Sequence, residues 1–201
     1  MPWVLQEHSF GCDDPVRAAR LEPGEKVLNL GCGVGFDLMT AAKAVGTSGH
    51  AYGLDTDVSM LKKARININK LRIANATLLY CDNDTVPLFD ESVDVIMSHG
   101  AADILAQGGR ILRETHRVLV SGGRLVLSAC MSGTLRVEEY REKLINAGFT
   151  DIAITLTKQH PLDTDTIKQH ENLHGNGFSA EESLSVNALI QAYKPLKNTA
   201  V

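Results

Sequence analysis

The stretch Lys26-Val27-Leu28-Asn29-Leu30-Gly31-Cys32-Gly33-Val34-Gly35-Phe36-Asp37 decides how the chain is read. Val27 to Leu30 are mostly apolar and run straight into glycine, the pattern of a short buried strand. The glycines at 31, 33 and 35 let the backbone turn sharply and pass close to a ligand, because no Cβ stands in the way. From Phe36 to Val45 the spacing is helical, and Gly46 is a stop. Strand, glycine turn and helix in that order present free backbone N–H groups to a crevice of nucleotide size.

A dinucleotide fingerprint requires a glycine three residues after its second one. Here that position is Phe36, with Gly35 one step early. The G-x-G-x-G spacing suits a nucleoside carrying an amino acid better than a pyrophosphate, and it argues against a dehydrogenase. Ala51 to Asp55 reads as the next strand. It ends in a carboxylate ~20 residues after the glycines, where an acid binds the two ribose hydroxyls.

Working outward, Asp14-Pro15 opens a helical turn or two that reaches Arg20, with Asp14 as cap and Pro15 in the first turn. Val58 to Leu71 is a helix capped by Asp57, whose lysines and arginine form a solvated face. Ala76–Tyr80 and Val93–Met97 are strands, and Arg110–Val118 is a helix. Gly122-Gly123 turns the chain into a strand over Arg124–Ala129. Val137–Asn146 is a helix stopped at Gly148, Asp151–Leu156 a sixth strand, and Ser183–Ala192 a last one. Between these last two strands the chain is polar and irregular, and residues 158–182 are expected to form a mobile cover over the acceptor mouth. Alternating strands and helices imply a doubly wound α/β sheet, mostly parallel, with its ligand crevice at the carboxyl ends of the strands.

The segment from Lys26 to Asp37 resembles motif I of class I S-adenosylmethionine-dependent methyltransferases. Residues 11 to about 195 are similar, more narrowly, to the arsenite methyltransferase branch. Matching stretches are Gly11-Cys12-Asp13-Asp14-Pro15, Gly53-Leu54-Asp55, Ser92 to Ser98, Arg117-Val118-Leu119 with Gly122-Gly123-Arg124-Leu125, and Glu139-Tyr140 followed by Ala147-Gly148-Phe149. The resemblance implies a seven-stranded Rossmann-like sheet whose antiparallel last strand lies beside strand five. A length of 201 residues fits one domain over residues 1–201, with residues 1–22 expected as an N-terminal cover.

The resemblance also assigns roles. Asn29, Gly31, Cys32, Gly33, Gly35 and Asp37 would hold the methionine end of S-adenosylmethionine, and Asp55 its ribose hydroxyls. Thr56 and Met60 would flank the adenine, with Asp82 and Asn83 at its edge. Ser98 and His99 would line the floor below the methyl group; His99 either polarises an acceptor or is simply a wall. Asn29 departs from the family, which carries an acid there, so it supplies no charge near the cofactor's ammonium group. Methyl transfer from a sulfonium needs orientation more than acid–base help, so no catalytic dyad is expected.

Arsenite is a soft electrophile that binds thiolates. The resembled enzymes hold it with cysteines just past strands four and five and with an N-terminal one. Cys130 and Cys12 match two of these, and Gly100 stands where the third would be. The acceptor is therefore arsenite or another small molecule, and a regulatory cofactor-binding protein without turnover is the alternative. Cys32 and Cys81 read as small packed residues.

A formal charge of −4 supplies no basic stripe for nucleic acid. No apolar run has the length of a membrane span and no secretory signal opens the chain, so a cytoplasmic protein with reduced thiols is expected. His170 and His174 would share a helix face, but Gly175 and Gly177 end any helix there, and no metal site is expected.

Overall fold

The structure is a computed structural model and describes residues 14–81, 85–99, 109–132, 137–161 and 184–197. Among these the strands β1 (Lys26–Leu30), β2 (His50–Asp55), β3 (Ala76–Tyr80), β4 (Val93–His99), β5 (Leu119–Ser132), β6 (Thr150–Pro161) and β7 (Leu184–Tyr193) form one sheet in the order β3-β2-β1-β4-β5-β7-β6. Pairing is parallel from β3 through to β5, and β7 runs antiparallel to both β5 and β6. The sheet order reverses between β1 and β4, which opens a crevice at the carboxyl ends of those strands.

Strand alternation divides the core into two layers. Leu28, Leu30, Ile96, Leu125 and Leu127 pack with Leu112 and Val118 of α4 (Gly109–Val118) and with Tyr140 and Leu144 of α5 (Val137–Asn146). Val27, Val95, Met97 and Val126 face the other way. They pack with Val16 and Ala19 of α1 (Pro15–Ala19), with Leu38, Met39, Ala41 and Val45 of α2 (Phe36–Val45), and with Ile68 of α3 (Val58–Lys70). Helices therefore cover both faces, as the alternation of elements requires.

Local chemistry sets the ends of these elements. Asp14 caps α1, its side chain accepting from the Arg17 N–H at 3.0 Å, with Pro15 in the first turn. Asp57 caps α3, accepting from the Ser59 N–H at 2.6 Å. The Asn75 amide donates to the carbonyls of Ala42 (2.8 Å) and Gly46 (2.7 Å) and so ties the end of α2 to the approach to β3. Arg124 forms a paired contact with the Glu25 carboxylate at 2.7 and 2.9 Å and donates to the Ala19 carbonyl, locking α1 and the approach to β1 onto β5.

Element ends shift by a residue or two in several places, β4 running on to His99, and two differences are larger. The fifth strand starts at Leu119, ahead of Gly122-Gly123, and the glycines lie inside it. Val93 pairs with Leu119 but Val95 with Arg124, so β5 bulges here, and Gly122 takes a φ of 78°. The bulge is held from the far side, where the Gly122 N–H donates to Lys194 O and the Lys194 N–H to Gly123 O.

The second difference concerns the expected cover over residues 158–182. Its first residues, 158–161, continue β6, with Gln159, His160 and Pro161 in register with Val186, Ser185 and Leu184. Their polar composition reads as loop, but pairing with β7 holds them in the strand. Residues 162–182 lie outside the described residues, as do His170 and His174 and most of the expected cover at residues 1–22.

Candidate active site

The glycine turn after β1 is held from three sides. The Cys32 N–H donates to Leu54 O at 2.9 Å, the Gly35 N–H to Cys32 O at 2.8 Å, and the Asn67 side chain of α3 to Val34 O at 3.0 Å. Gly31 and Gly33 have φ of 65° and 52°, and a Cβ added at either would meet nothing within 4 Å, so the turn faces open space. At Gly35, by contrast, an added Cβ would lie 3.1 Å from the Ala64 Cβ, which is how closely α3 abuts the turn.

Asp55, the last residue of β2, reaches back to this turn. One carboxylate oxygen accepts from the Gly33 N–H at 2.7 Å and the other from the Asp57 N–H at 2.9 Å. The acid is thereby fixed between the glycine turn and the start of α3, with lone pairs left for further donors. Thr56 is exposed and Met60 is half-buried in the first turn of α3.

Cys32 packs its side chain into the core layer under α2, and burial, reinforced by the Asp55 charge, pushes its thiol up to about 12. It contributes backbone to the turn and no thiolate. Cys81 is likewise buried, its Sγ donating to Thr85 O at 3.0 Å.

Asn29 lies on β1 in register between Gly53 and Met97, 1% exposed. Neither its Nδ2 nor its Oδ1 has a hydrogen-bond partner among the described residues. A buried amide left unmatched in this way costs roughly 1–3 kcal/mol per group unless a ligand or water completes it.

On β4 the two expected floor residues differ. Ser98 is buried and donates its hydroxyl to Leu30 O at 2.9 Å, pinning β4 to β1 at the strand ends. His99 approaches Asp37 in the first turn of α2, with Nδ1 3.3 Å from the carboxylate and side chains 18% and 16% exposed. An imidazole and a carboxylate distant in sequence thus meet at the crevice, a contact that residue spacing did not signal.

Beside His99 in register is Ser128 of β5, fully buried, whose hydroxyl has no partner among the described residues. Sequence reading passed over Ser128 because nothing in its strand sets it apart from a packing residue. Cys130 follows on β5 as the register partner of Asn187. Cys12, Asp82, Asn83 and Gly100 lie outside the described residues. Among the described residues no three His, Cys, Asp or Glu side chains converge to hold a metal ion, and no helix is long and apolar enough to cross a membrane.

A sequence model of the methyltransferase domain matches residues 21–174. The chain belongs to that family. Its members draw the methyl group from S-adenosylmethionine. The chain is 31% identical over 212 residues to an arsenite methyltransferase of Halobacterium salinarum, covering 94% of this chain and 51% of that protein. It spans about half the length of the curated relatives it matches.

Solved structures share the fold. The arsenic(III) S-adenosylmethionine methyltransferase of Chlamydomonas reinhardtii superposes with a TM-score of 0.72 at 20% identity, over 98% of this chain and 72% of that one. Phosphoethanolamine N-methyltransferase 2 of Haemonchus contortus, solved with S-adenosylhomocysteine, gives 0.68 at 19% identity, over 89% and 51%.

The residues at the crevice fit the family's cofactor. The open glycine turn offers backbone N–H groups to a carboxylate, the Asn29 amide has a donor and an acceptor without partners among the described residues, and Asp55 is an anchored acceptor suited to hydroxyls.

Proposed function

We propose that the protein transfers a methyl group from S-adenosylmethionine to a small-molecule acceptor. The observation that carries this reading is Asp55, anchored by the Gly33 N–H at 2.7 Å beside an open glycine turn. When bound, the cofactor supplies a methyl group on a sulfonium, already activated for displacement. The chain's residues orient it. Gly31, Gly33 and Gly35 receive the methionine end, with Asp37 and the Asn29 amide beside them, while Asp55 accepts from the ribose hydroxyls. Thr56 and Met60 flank the adenine, and Asp82 and Asn83 read its edge. His99 faces the side from which an acceptor must approach for in-line attack.

Trivalent arsenic is the first acceptor to test, on the similarity to the Halobacterium protein and on Cys130 and Cys12. Gly100 in place of a third cysteine leaves that ligand set short by one thiolate. A protic organic acceptor is the second reading, favoured by the contact between His99 and Asp37.

The test is an acceptor panel that includes arsenite with glutathione, read by release of S-adenosylhomocysteine, with cofactor binding followed by calorimetry. S-adenosylmethionine and its demethylated product should bind, and nicotinamide dinucleotides should not. If arsenic is the acceptor, Gly100→Cys tightens arsenite binding and Cys130→Ser removes the gain; no tightening in Gly100→Cys refutes the arsenic reading. Binding with no release on any acceptor supports a regulatory protein instead, and no binding refutes the methyltransferase reading.

A further inference from the structure

The His99–Asp37 contact is not needed for a sulfonium methyl to leave, because that group is already activated. Its position indicates another task. Asp37 stands in the first turn of α2 and His99 ends β4, with Nδ1 and the carboxylate 3.3 Å apart and little of either side chain exposed. A carboxylate at Nδ1 orients the imidazole and favours the tautomer with its proton there, which makes Nε2 the basic nitrogen.

Ser128 lies next to His99 in the parallel register of β4 and β5. Both are on the sheet face covered by α1 and α2, since Met97 and Val126, each two residues earlier, belong to the apolar layer under those helices. Ser128 is 0% exposed with an unmatched hydroxyl among the described residues, an arrangement with a cost unless a ligand completes it. Among the described residues, the groups assigned to the methionine end, the ribose and the adenine faces stand on β1, β2, the glycine turn and the starts of α2 and α3. His99 and Ser128 stand on the opposite flank of the crevice, at the carboxyl ends of β4 and β5.

We propose that His99, held by Asp37, is the general base for transfer to a protic acceptor, a hydroxyl or a thiol, and that Ser128 hydrogen-bonds the same acceptor. This rests on the methyl-transfer reading and names its acceptor class. The acceptor's lone pair bonds to the methyl carbon, the electron pair of the broken carbon–sulfur bond stays on sulfur, and the acceptor's proton passes to Nε2. One positive charge disappears from the sulfonium and one appears on the imidazolium, where the Asp37 carboxylate stabilises it. No oxidant or reductant enters. Trivalent arsenic bound to thiolates attacks through a lone pair with no proton on the reacting atom, so it has no use for this base.

Two measurements test the assignment. In the first, protein labelled with nitrogen-15 histidine is examined by long-range proton–nitrogen spectra at mildly alkaline pH. The His99 signal is identified by its loss in His99→Gln. The expected ring carries its proton on Nδ1, and Asp37→Asn shifts the balance toward Nε2. A ring protonated on Nε2, or one indifferent to Asp37→Asn, overturns the proposal whatever acceptor is used.

In the second, 2-mercaptoethanol and catechol, both protonated at neutral pH, serve as protic probes, with arsenite plus glutathione as the contrast and glutathione alone as its control. Turnover of either protic probe should fall about 100-fold or more in kcat for His99→Ala, with added imidazole restoring part of it. The KM for S-adenosylmethionine and the calorimetric affinity for S-adenosylhomocysteine should stay within about twofold. Ser128→Ala should raise the acceptor KM more than it lowers kcat. A kcat retained within threefold in His99→Ala, or turnover of arsenite alone and independent of His99, overturns it. Loss of S-adenosylhomocysteine binding by the wild-type chain would instead refute the methyltransferase reading itself.

Discussion

Replacing Asp55 by Asn tests the site at the point where fold and ligand meet. The carboxylate accepts from Gly33 N–H at 2.7 Å through one oxygen and from Asp57 N–H at 2.9 Å through the other. An amide has the same shape but one acceptor oxygen. Whichever way it turns, its NH2 confronts one of the two N–H donors, and that bond is lost. Hydrogen bonds to a charged group contribute roughly 1.5–3 kcal/mol each, and partial solvent contact places this one near the lower end. The expected loss in unfolding free energy is about 1–2 kcal/mol.

The ligand senses the change twice. The glycine turn loses its tie to β2, and the ribose hydroxyls lose a charged acceptor. At about 1.4 kcal/mol per factor of ten, S-adenosylhomocysteine should bind about 10- to 100-fold more weakly to Asp55→Asn. Calorimetry on both proteins, with urea denaturation as the companion measurement, checks both numbers. Binding within threefold of wild type would refute the assignment of Asp55, and unchanged stability would refute the claim that it anchors the turn.

Other predictions concern the frame around the site. A methyl added at Gly53 would sit 2.5 Å from the buried Leu38 Cδ2 and 3.0 Å from the Cys32 Sγ. Gly53→Ala should therefore cost about 1–3 kcal/mol and lower Tm by several degrees, measured by calorimetric melting. Burial, with a smaller contribution from Lys194, holds His116 below the usual imidazole range, where its neutral ring packs edge-on against Phe149. The unfolded chain then takes up the proton first, so stability is fully present above about pH 6.5 and falls as the pH drops below it toward the folded value. Urea midpoints at pH 8 and pH 5 should differ less in His116→Gln than in wild type, and equal differences would refute this. With its thiol pushed up to about 12 and buried, Cys32 should resist alkylation by iodoacetamide at pH 8 in the native protein and react on unfolding, as read by peptide mass spectrometry.

Much of the fold was legible because its signals are local. Val27 to Leu30, the helix from Phe36 to Val45 and the stops at Gly46 and Gly148 follow from apolar spacing and from backbone freedom, both set within a few residues. Asp14 and Asp57 cap the helices they were expected to cap, because a cap is a contact with the next turn. The G-x-G-x-G spacing marked the tight turn after β1 for the same reason, and the acid expected at the end of β2 is the one that accepts from that turn.

What the sequence could not supply is anything that depends on which strands become neighbours. The bulge around Gly122 lies in the pairing of β5 with β4, and β6 extends to Pro161 by pairing with β7, which inserts between β5 and β6. Ser98 is committed to the Leu30 carbonyl only once β4 lies against β1, and Asn29, buried between β2 and β4, finds no hydrogen-bond partner among the described residues. The meeting of His99 with Asp37, and the register that sets Ser128 beside His99, join α2, β4 and β5 across long separations in the chain. No periodicity records such a meeting, because hydrogen bonds and charge pairs act over a few ångströms of space, whatever the distance along the sequence. The sequence by itself determined the class of sheet and the glycine turn with the acid that follows it, whereas the placing of His99 against Asp37 and beside Ser128 was decided by strand order.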